Sequence, residues 1–188
     1  MSTSNIIWLI VVIIAAAIAA WALIERQKTL KLRGKFGPEY DRVAQQEHSA
    51  HRAEGILEHR EKRVSKFRIR SLREEERARF AAEWRSVQER FVDDPRSAVA
   101  QADRLINEAL KARGYPMSEF EQQAADLSVQ YPYVVENYRK AHQIALDEQR
   151  GAASTEQLRI AMQYYRSLFE DVLEMKIANV EHVEVRHG

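Results

Sequence analysis

The chain has 188 residues, and its 29 basic and 28 acidic side chains leave a formal net charge of +1. Hydrophobic residues make up 45% of it, which excludes a disordered chain, and 6 Gly and 4 Pro are too few for a collagen-like or low-complexity protein. Because there is no Cys, disulfides and cysteine-based metal sites are excluded as well.

The first feature in chain order is an uncharged apolar run that begins at Ile6 and ends at Ile24. As a helix it would measure about 28 Å, close to the roughly 30 Å of a bilayer's hydrocarbon core. Trp8 and Trp21 lie near its ends, where indole rings favour the membrane interface. Residues 1–24 are therefore predicted to form a single-pass transmembrane anchor in the lipid bilayer. A cleaved signal peptide is the alternative, although no basic residue precedes the run.

Basic residues follow the apolar run and predict its orientation. Against one acid, Glu25, they are Arg26, Lys28, Lys31, Arg33 and Lys35. The positive-inside rule then places the rest of the chain in the cytoplasm. The expected location is the inner (cell) membrane with a cytoplasmic C-terminal domain, and the periplasmic or extracellular side is the alternative.

Residues 25–71 are predicted to form a basic juxtamembrane region with a long charged linker helix. This helix is expected to begin near Pro38, since proline suits a first helical position, and to run toward Arg70. Apolar residues recur every seven positions at Val43, Ala50, Leu57 and Val64. Half of the matching d-type positions are polar, so a helix with one narrow apolar stripe is favoured over a coiled coil.

Start and stop signals divide residues 72–174 into four longer helices and one short helix. The signals are three capping boxes, one Asp–Pro start and two glycine stops, at Ser71 with Glu74, Ser118 with Glu121, Ser154 with Gln157, Asp94 with Pro95, Gly114 and Gly151. A further helix is expected to start at Pro132.

Apolar residues within these predicted helices recur at helical spacing, as in Phe80, Trp84 and Val87. The predicted fold class is therefore all-α, with an N-terminal transmembrane helix, the linker helix and a compact bundle of about five helices. The tail, residues 175–188, is left without an assigned conformation.

A dense basic segment is the most informative exposed feature. It comprises Arg60, Lys62, Arg63, Lys66, Arg68, Arg70 and Arg73, with Glu61 as its only acid. Such a segment is predicted to bind anionic lipid headgroups or an acidic partner. The alternative is a solvated helix face paired with acids downstream. Nucleic acid is disfavoured, since no recognition-helix pattern accompanies the charge.

Other candidate groups have simpler interpretations. His48 and His51, near Glu47 and Glu54, suggest only part of a metal site and are expected to form a polar face. His142 is expected to be packed or hydrogen-bonded, and Asp93 and Asp94 are expected to cap a helix. No catalytic, cofactor-binding or metal-binding residue is predicted from the sequence. Whether a groove for a partner lies between the last two helices is not decided by the sequence.

Four short patterns carry a resemblance. They are FGPEYDR at residues 36–42, WRSVQERFVDDP at residues 84–95, RGYP at residues 113–116 and YRKAH at residues 138–142. Together they resemble an uncharacterised family of bacterial membrane-anchored helical proteins. The resemblance implies architecture and location, and it carries over no catalytic residue.

The charge is unevenly distributed along the chain. Residues 25–92 hold 18 basic and 12 acidic residues, a net of +6, whereas residues 93–188 hold 11 and 16, a net of −5. The resulting hypothesis is a non-enzymatic, membrane-anchored interaction or scaffold module with a protein partner and no cofactor. Self-association is left open. The alternatives are an exported, stress-related envelope module with a cleaved signal, and an enzyme whose site has no recognisable motif.

Overall fold

The protein's structure is a computed structural model that describes residues 3–174, apart from the side chains of residues 3–7, 9 and 11. The chain divides into two compact units, unit 1 (Met1–Lys62) and unit 2 (Arg63–Gly188). Over the described residues there are eight helices and no strand. They are α1 (Thr3–Phe36), α2 (Pro38–Glu47), α3 (Ala50–Val64), α4 (Glu74–Asp93), α5 (Pro95–Arg113), α6 (Phe120–Leu127), α7 (Val135–Gln149) and α8 (Thr155–Leu173). The predicted layout of one transmembrane helix, one linker helix and about five bundle helices is therefore wrong.

The N-terminal apolar run belongs to α1. Among the residues that the structure describes, no helix combines the length and the apolar content needed to cross a membrane. After Ile24 the same helix continues into charged residues. The predictions of a single-pass anchor and of an inner-membrane location with a cytoplasmic C-terminal domain are therefore wrong.

Unit 1 contains α1, α2 and most of α3. Its buried apolar residues come from all three helices and are Leu32, Phe36, Tyr40, Val43, Ala53 and Leu57. The predicted linker helix is wrong, because α2 ends at Glu47 and α3 begins only at Ala50. His48 ends α2 in the left-handed conformation, with φ of 50°. This conformation commonly ends a helix and is usually adopted by glycine.

Unit 2 contains α4 to α8, and α5 packs against α4, α7 and α8. The predicted stripe of Phe80, Trp84 and Val87 is buried in its core. Trp84 stacks on Phe169 of α8, with ring centroids 4.6 Å apart. Stacked aromatic pairs of this kind add to the stabilisation that burial of their surface already provides.

Three of the predicted helix boundaries in unit 2 are confirmed. Asp94 caps α5, where its carboxylate accepts from the Ser97 N–H at 3.2 Å and Pro95 is the first helical residue. Gly114 ends the same helix in the left-handed conformation. Ser154 and Gln157 form the capping box that starts α8.

Other boundaries differ from the predictions. α4 starts after Arg73, whose N–H donates to Glu76 at 2.9 Å, so the predicted box at Ser71 is wrong. The Ser71 hydroxyl donates to Glu174 at 3.4 Å. α6 starts after Glu119 without a side-chain cap, so the predicted box at Ser118 is wrong. α7 starts at Val135, because the residues after Pro132 form a turn. The predicted tail, residues 175–188, lies outside the described residues.

Replacing Ser154 with alanine is expected to lower the free energy of unfolding by about 1 kcal/mol, since the first turn of α8 loses its cap. Urea unfolding followed by circular dichroism measures the change. Gln163, exposed on the same helix, gives the control: Gln163→Ala should change stability by less than about 0.5 kcal/mol. Equal losses in both variants would contradict the capping interpretation.

Candidate functional site

A polar cleft of about 340 Å³ lies between α5 and α7 in unit 2. From α5 it is lined by Arg96, Val99, Ala100, Asp103 and Arg104, and from α7 by His142, Ala145, Glu148 and Gln149. The residues from α5 recur at intervals of three and four, so they lie on one face of that helix. The cleft therefore brings two separate polar helix faces together.

Asp103 and His142 lie at the centre of this cleft. The Tyr165 hydroxyl donates to Asp103 Oδ1 at 3.0 Å, and His142 Nδ1 lies 3.7 Å from the same oxygen. The His142 ring stacks on Phe120, with centroids 3.6 Å apart and planes inclined by 8°. The imidazole is thus held in place by an aromatic ring, just beyond hydrogen-bond distance of the carboxylate.

Two buried tyrosines, Tyr165 and Tyr138, lie close to Asp103. Burial raises the pKa of Tyr165 and of Tyr138 above the usual range, and the charge of Asp103 raises both further. Both hydroxyls therefore stay protonated, so Tyr165 remains a donor to Asp103. The Tyr138 hydroxyl is buried with no hydrogen-bond partner among the described residues.

The cleft has more acceptor capacity than its own donors satisfy. Arg96 Nε binds Glu148 Oε1 at 3.1 Å, but Glu148 Oε2 is buried and has no hydrogen-bond partner in the described part of the chain. His142 Nδ1 is likewise buried and unpartnered there. The carboxylate oxygen Glu148 Oε2 calls for a donor, whereas His142 Nδ1 can donate or accept according to the imidazole tautomer.

The residues that line the cleft do not make up a nucleophilic site. An aspartate beside a histidine occurs in nucleophilic sites, but those sites also need a hydroxyl or thiol nucleophile. No residue that lines the described cleft carries one. Nothing in the described residues indicates an enzymatic activity.

The seven residues of the basic segment differ in their exposure and in their partners. Four of them bind acids: Arg60 binds Glu39 at 2.6 Å, Arg63 binds Asp126 at 3.2 Å, and Arg70 and Arg73 bind Glu76 at 2.7 and 3.1 Å. The two arginines hold the pKa of Glu76 well below its usual range, so this carboxylate stays ionised in mild acid. Lys62, Lys66, Arg68, Arg70 and Arg73 are exposed. Binding of anionic lipid or an acidic partner by the segment stays a prediction.

The two histidines near the start of α3 have different surroundings. His48 caps α2, whereas His51 lies 3.6 Å from Glu25 of α1. Asp94 caps α5, as predicted, and no hydrogen bond or ion pair to Asp93 is seen within the described residues.

Sequence reasoning singled out His142 but neither Asp103 nor Glu148. Both acids lie on charged faces of amphipathic helices, where solvation is the ordinary expectation. The one signal of the cleft in the sequence is that Arg96 and Asp103, seven residues apart, lie on the same polar face of α5. The open suggestion of a groove between the last two helices does not match the cleft, which lies between α5 and α7.

Comparison of the chain with protein-family models, with curated proteins and with solved structures finds no match. The resemblance to bacterial membrane-anchored helical proteins therefore stays a prediction. The comparisons add no indication of an activity.

Proposed function

We propose that the protein is a non-enzymatic interaction module whose cleft between α5 and α7 receives a basic side chain of a protein partner. The observation that carries this proposal is Glu148 Oε2, a buried carboxylate oxygen with no hydrogen-bond partner among the described residues, in the same cleft as His142 and the Asp103 carboxylate. Leaving a buried polar atom unpaired costs about 1–3 kcal/mol, which a suitable guest would recover.

A guanidinium group matches this arrangement. It presents five N–H donors in a fixed plane, carries a positive charge and accepts no hydrogen bond. The cleft offers two carboxylates, and only one oxygen of Glu148 is bound by Arg96. A cleft of about 340 Å³ is at the small end of ligand pockets, which suits one inserted side chain.

The partner group can be tested with a small mimic. Nα-acetyl-arginine methylamide, added to the ¹⁵N-labelled full chain, is expected to shift the amide signals around Asp103, His142 and Glu148. The citrulline analogue has nearly the same shape but no charge, and it should bind at least about tenfold more weakly, a difference of about 1.4 kcal/mol. Equal binding of the two compounds would reject the proposal.

Matched variants assign the binding to the cleft. Glu148→Gln removes the charge but keeps the shape, and we expect it to weaken binding of the arginine compound at least about fivefold. Glu121→Gln, at an exposed position on α6, should leave the affinity unchanged. Equal effects of the two substitutions would show that net charge, rather than the cleft, attracts the compound.

A further inference from the structure

Three potential metal ligands converge in unit 1, one from α1 and two from α3. Glu25, His51 and Glu54 each place one ligand atom within 4.8 Å of the other two. His51 and Glu54 are three residues apart and so lie on the same face of α3. We propose that these three residues bind a divalent transition-metal ion, for which Zn²⁺ is the best match.

Glu54 is the fixed member of this set. It is only 2% exposed, and its Oε1 accepts hydrogen bonds from the Thr29 hydroxyl at 2.7 Å and the Tyr40 hydroxyl at 3.0 Å. Hydrogen bonds of this kind orient ligating carboxylates in known metal sites.

The charges around the set favour a cation. Two nearby carboxylates repel each other unless a positive charge lies between them. The charge of Lys28 reaches both Glu25 and Glu54, but its ammonium group binds Glu58 at 3.0 Å. A divalent ion would neutralise both carboxylates and coordinate the neutral imidazole of His51.

The remaining geometry can be met by side-chain rotation. Ligand atoms on a tetrahedral Zn²⁺ lie about 3.4 Å apart, given metal–ligand distances near 2.1 Å. His51 Nδ1 and Glu25 Oε1 are already 3.6 Å apart. The side chains of Glu25 and His51 are 36% and 85% exposed, so they can turn toward Glu54 without disturbing the core. Three protein ligands leave the fourth position for water, and the imidazole favours Zn²⁺ over the oxygen-preferring Mg²⁺.

Calorimetry on the full, tag-free chain tests the proposal with ZnCl₂. We expect one Zn²⁺ per chain and no comparable binding of MgCl₂ at the same concentration. Glu25→Gln and His51→Ala should each weaken Zn²⁺ binding at least about tenfold, as loss of a ligand or of its support does elsewhere. Glu54→Gln should do the same, and if it unfolds unit 1, the variant at the partly exposed Glu25 still decides the question.

The matched control is His59→Ala, since His59 is exposed on the same helix. It should leave the affinity within about twofold of the unaltered chain, which would separate a built site from scattered surface histidines. The proposal is overturned if no stoichiometric binding occurs, or if the His51 and His59 variants lose equal affinity.

Discussion

Replacing Arg113 with alanine is expected to lower the free energy of unfolding of unit 2 by about 3–5 kcal/mol. Arg113 is 5% exposed. Its guanidinium donates to the Arg70 carbonyl at 3.2 Å, the Val172 carbonyl at 2.8 Å, the Glu174 carboxylate at 2.8 Å and the Tyr131 hydroxyl. Alanine would leave the buried acceptors unpaired and open a cavity. Urea unfolding followed by near-ultraviolet circular dichroism measures the loss.

Two companion variants show which bonds matter. Glu174→Gln should cost less than about 1 kcal/mol, because the Glu174 side chain is 42% exposed and water replaces the lost charge. Arg113→Lys keeps the charge but not the planar set of donors, so its loss should fall between the other two. If Arg113→Ala costs no more than Glu174→Gln, the bonds to the two carbonyls contribute little.

The neighbouring substitution, Gly114→Ala, should also destabilise unit 2, by about 3 kcal/mol or more. Gly114 has a φ of 98°, a conformation that costs a residue with a side chain about 1–2 kcal/mol. In addition, a Cβ at this position would lie 2.4 Å from the Arg68 carbonyl oxygen. Since that oxygen belongs to the backbone, relief requires the segment before α4 to move. The same urea experiment measures the effect.

Two other glycines separate these causes. Gly151 has a φ of 72° but open space around it, so Gly151→Ala should cost only about 1–2 kcal/mol. Gly55 lies within α3 with nothing nearby, and Gly55→Ala should stabilise the protein by about 0.5–1 kcal/mol. Equal losses at Gly114 and Gly151 would show that the contact with Arg68 is unimportant.

Local signals in the sequence predicted the features that depend on a few adjacent residues. The starts of α5 and α8 follow from caps at Asp94 and Ser154, whose partners lie three residues away. The end of α5 follows from Gly114, because only glycine adopts that conformation at low cost. Buried stripes such as Phe80, Trp84 and Val87 follow from helical periodicity in the same way.

Features that depend on distant residues could not be predicted. The Ser71 hydroxyl donates to Glu174, 103 residues away, and α4 starts only after Arg73. No local pattern marks His48 as a break between α2 and α3. The cleft exists only because α7 packs on α5, which brings His142 to Asp103. Neither the spacing nor the composition of one helix contains that information.

The contacts of Arg113 also impose an order on folding during synthesis. Its acceptors at Val172 and Glu174 lie 59 and 61 residues further along the chain, so a ribosome adding about 5–20 residues per second supplies them several seconds after α5. In unit 1, the buried Glu54 meets Thr29 and Tyr40, both already synthesised. Unit 1 can therefore complete its internal contacts while the chain is still growing, whereas unit 2 must wait for the end of α8.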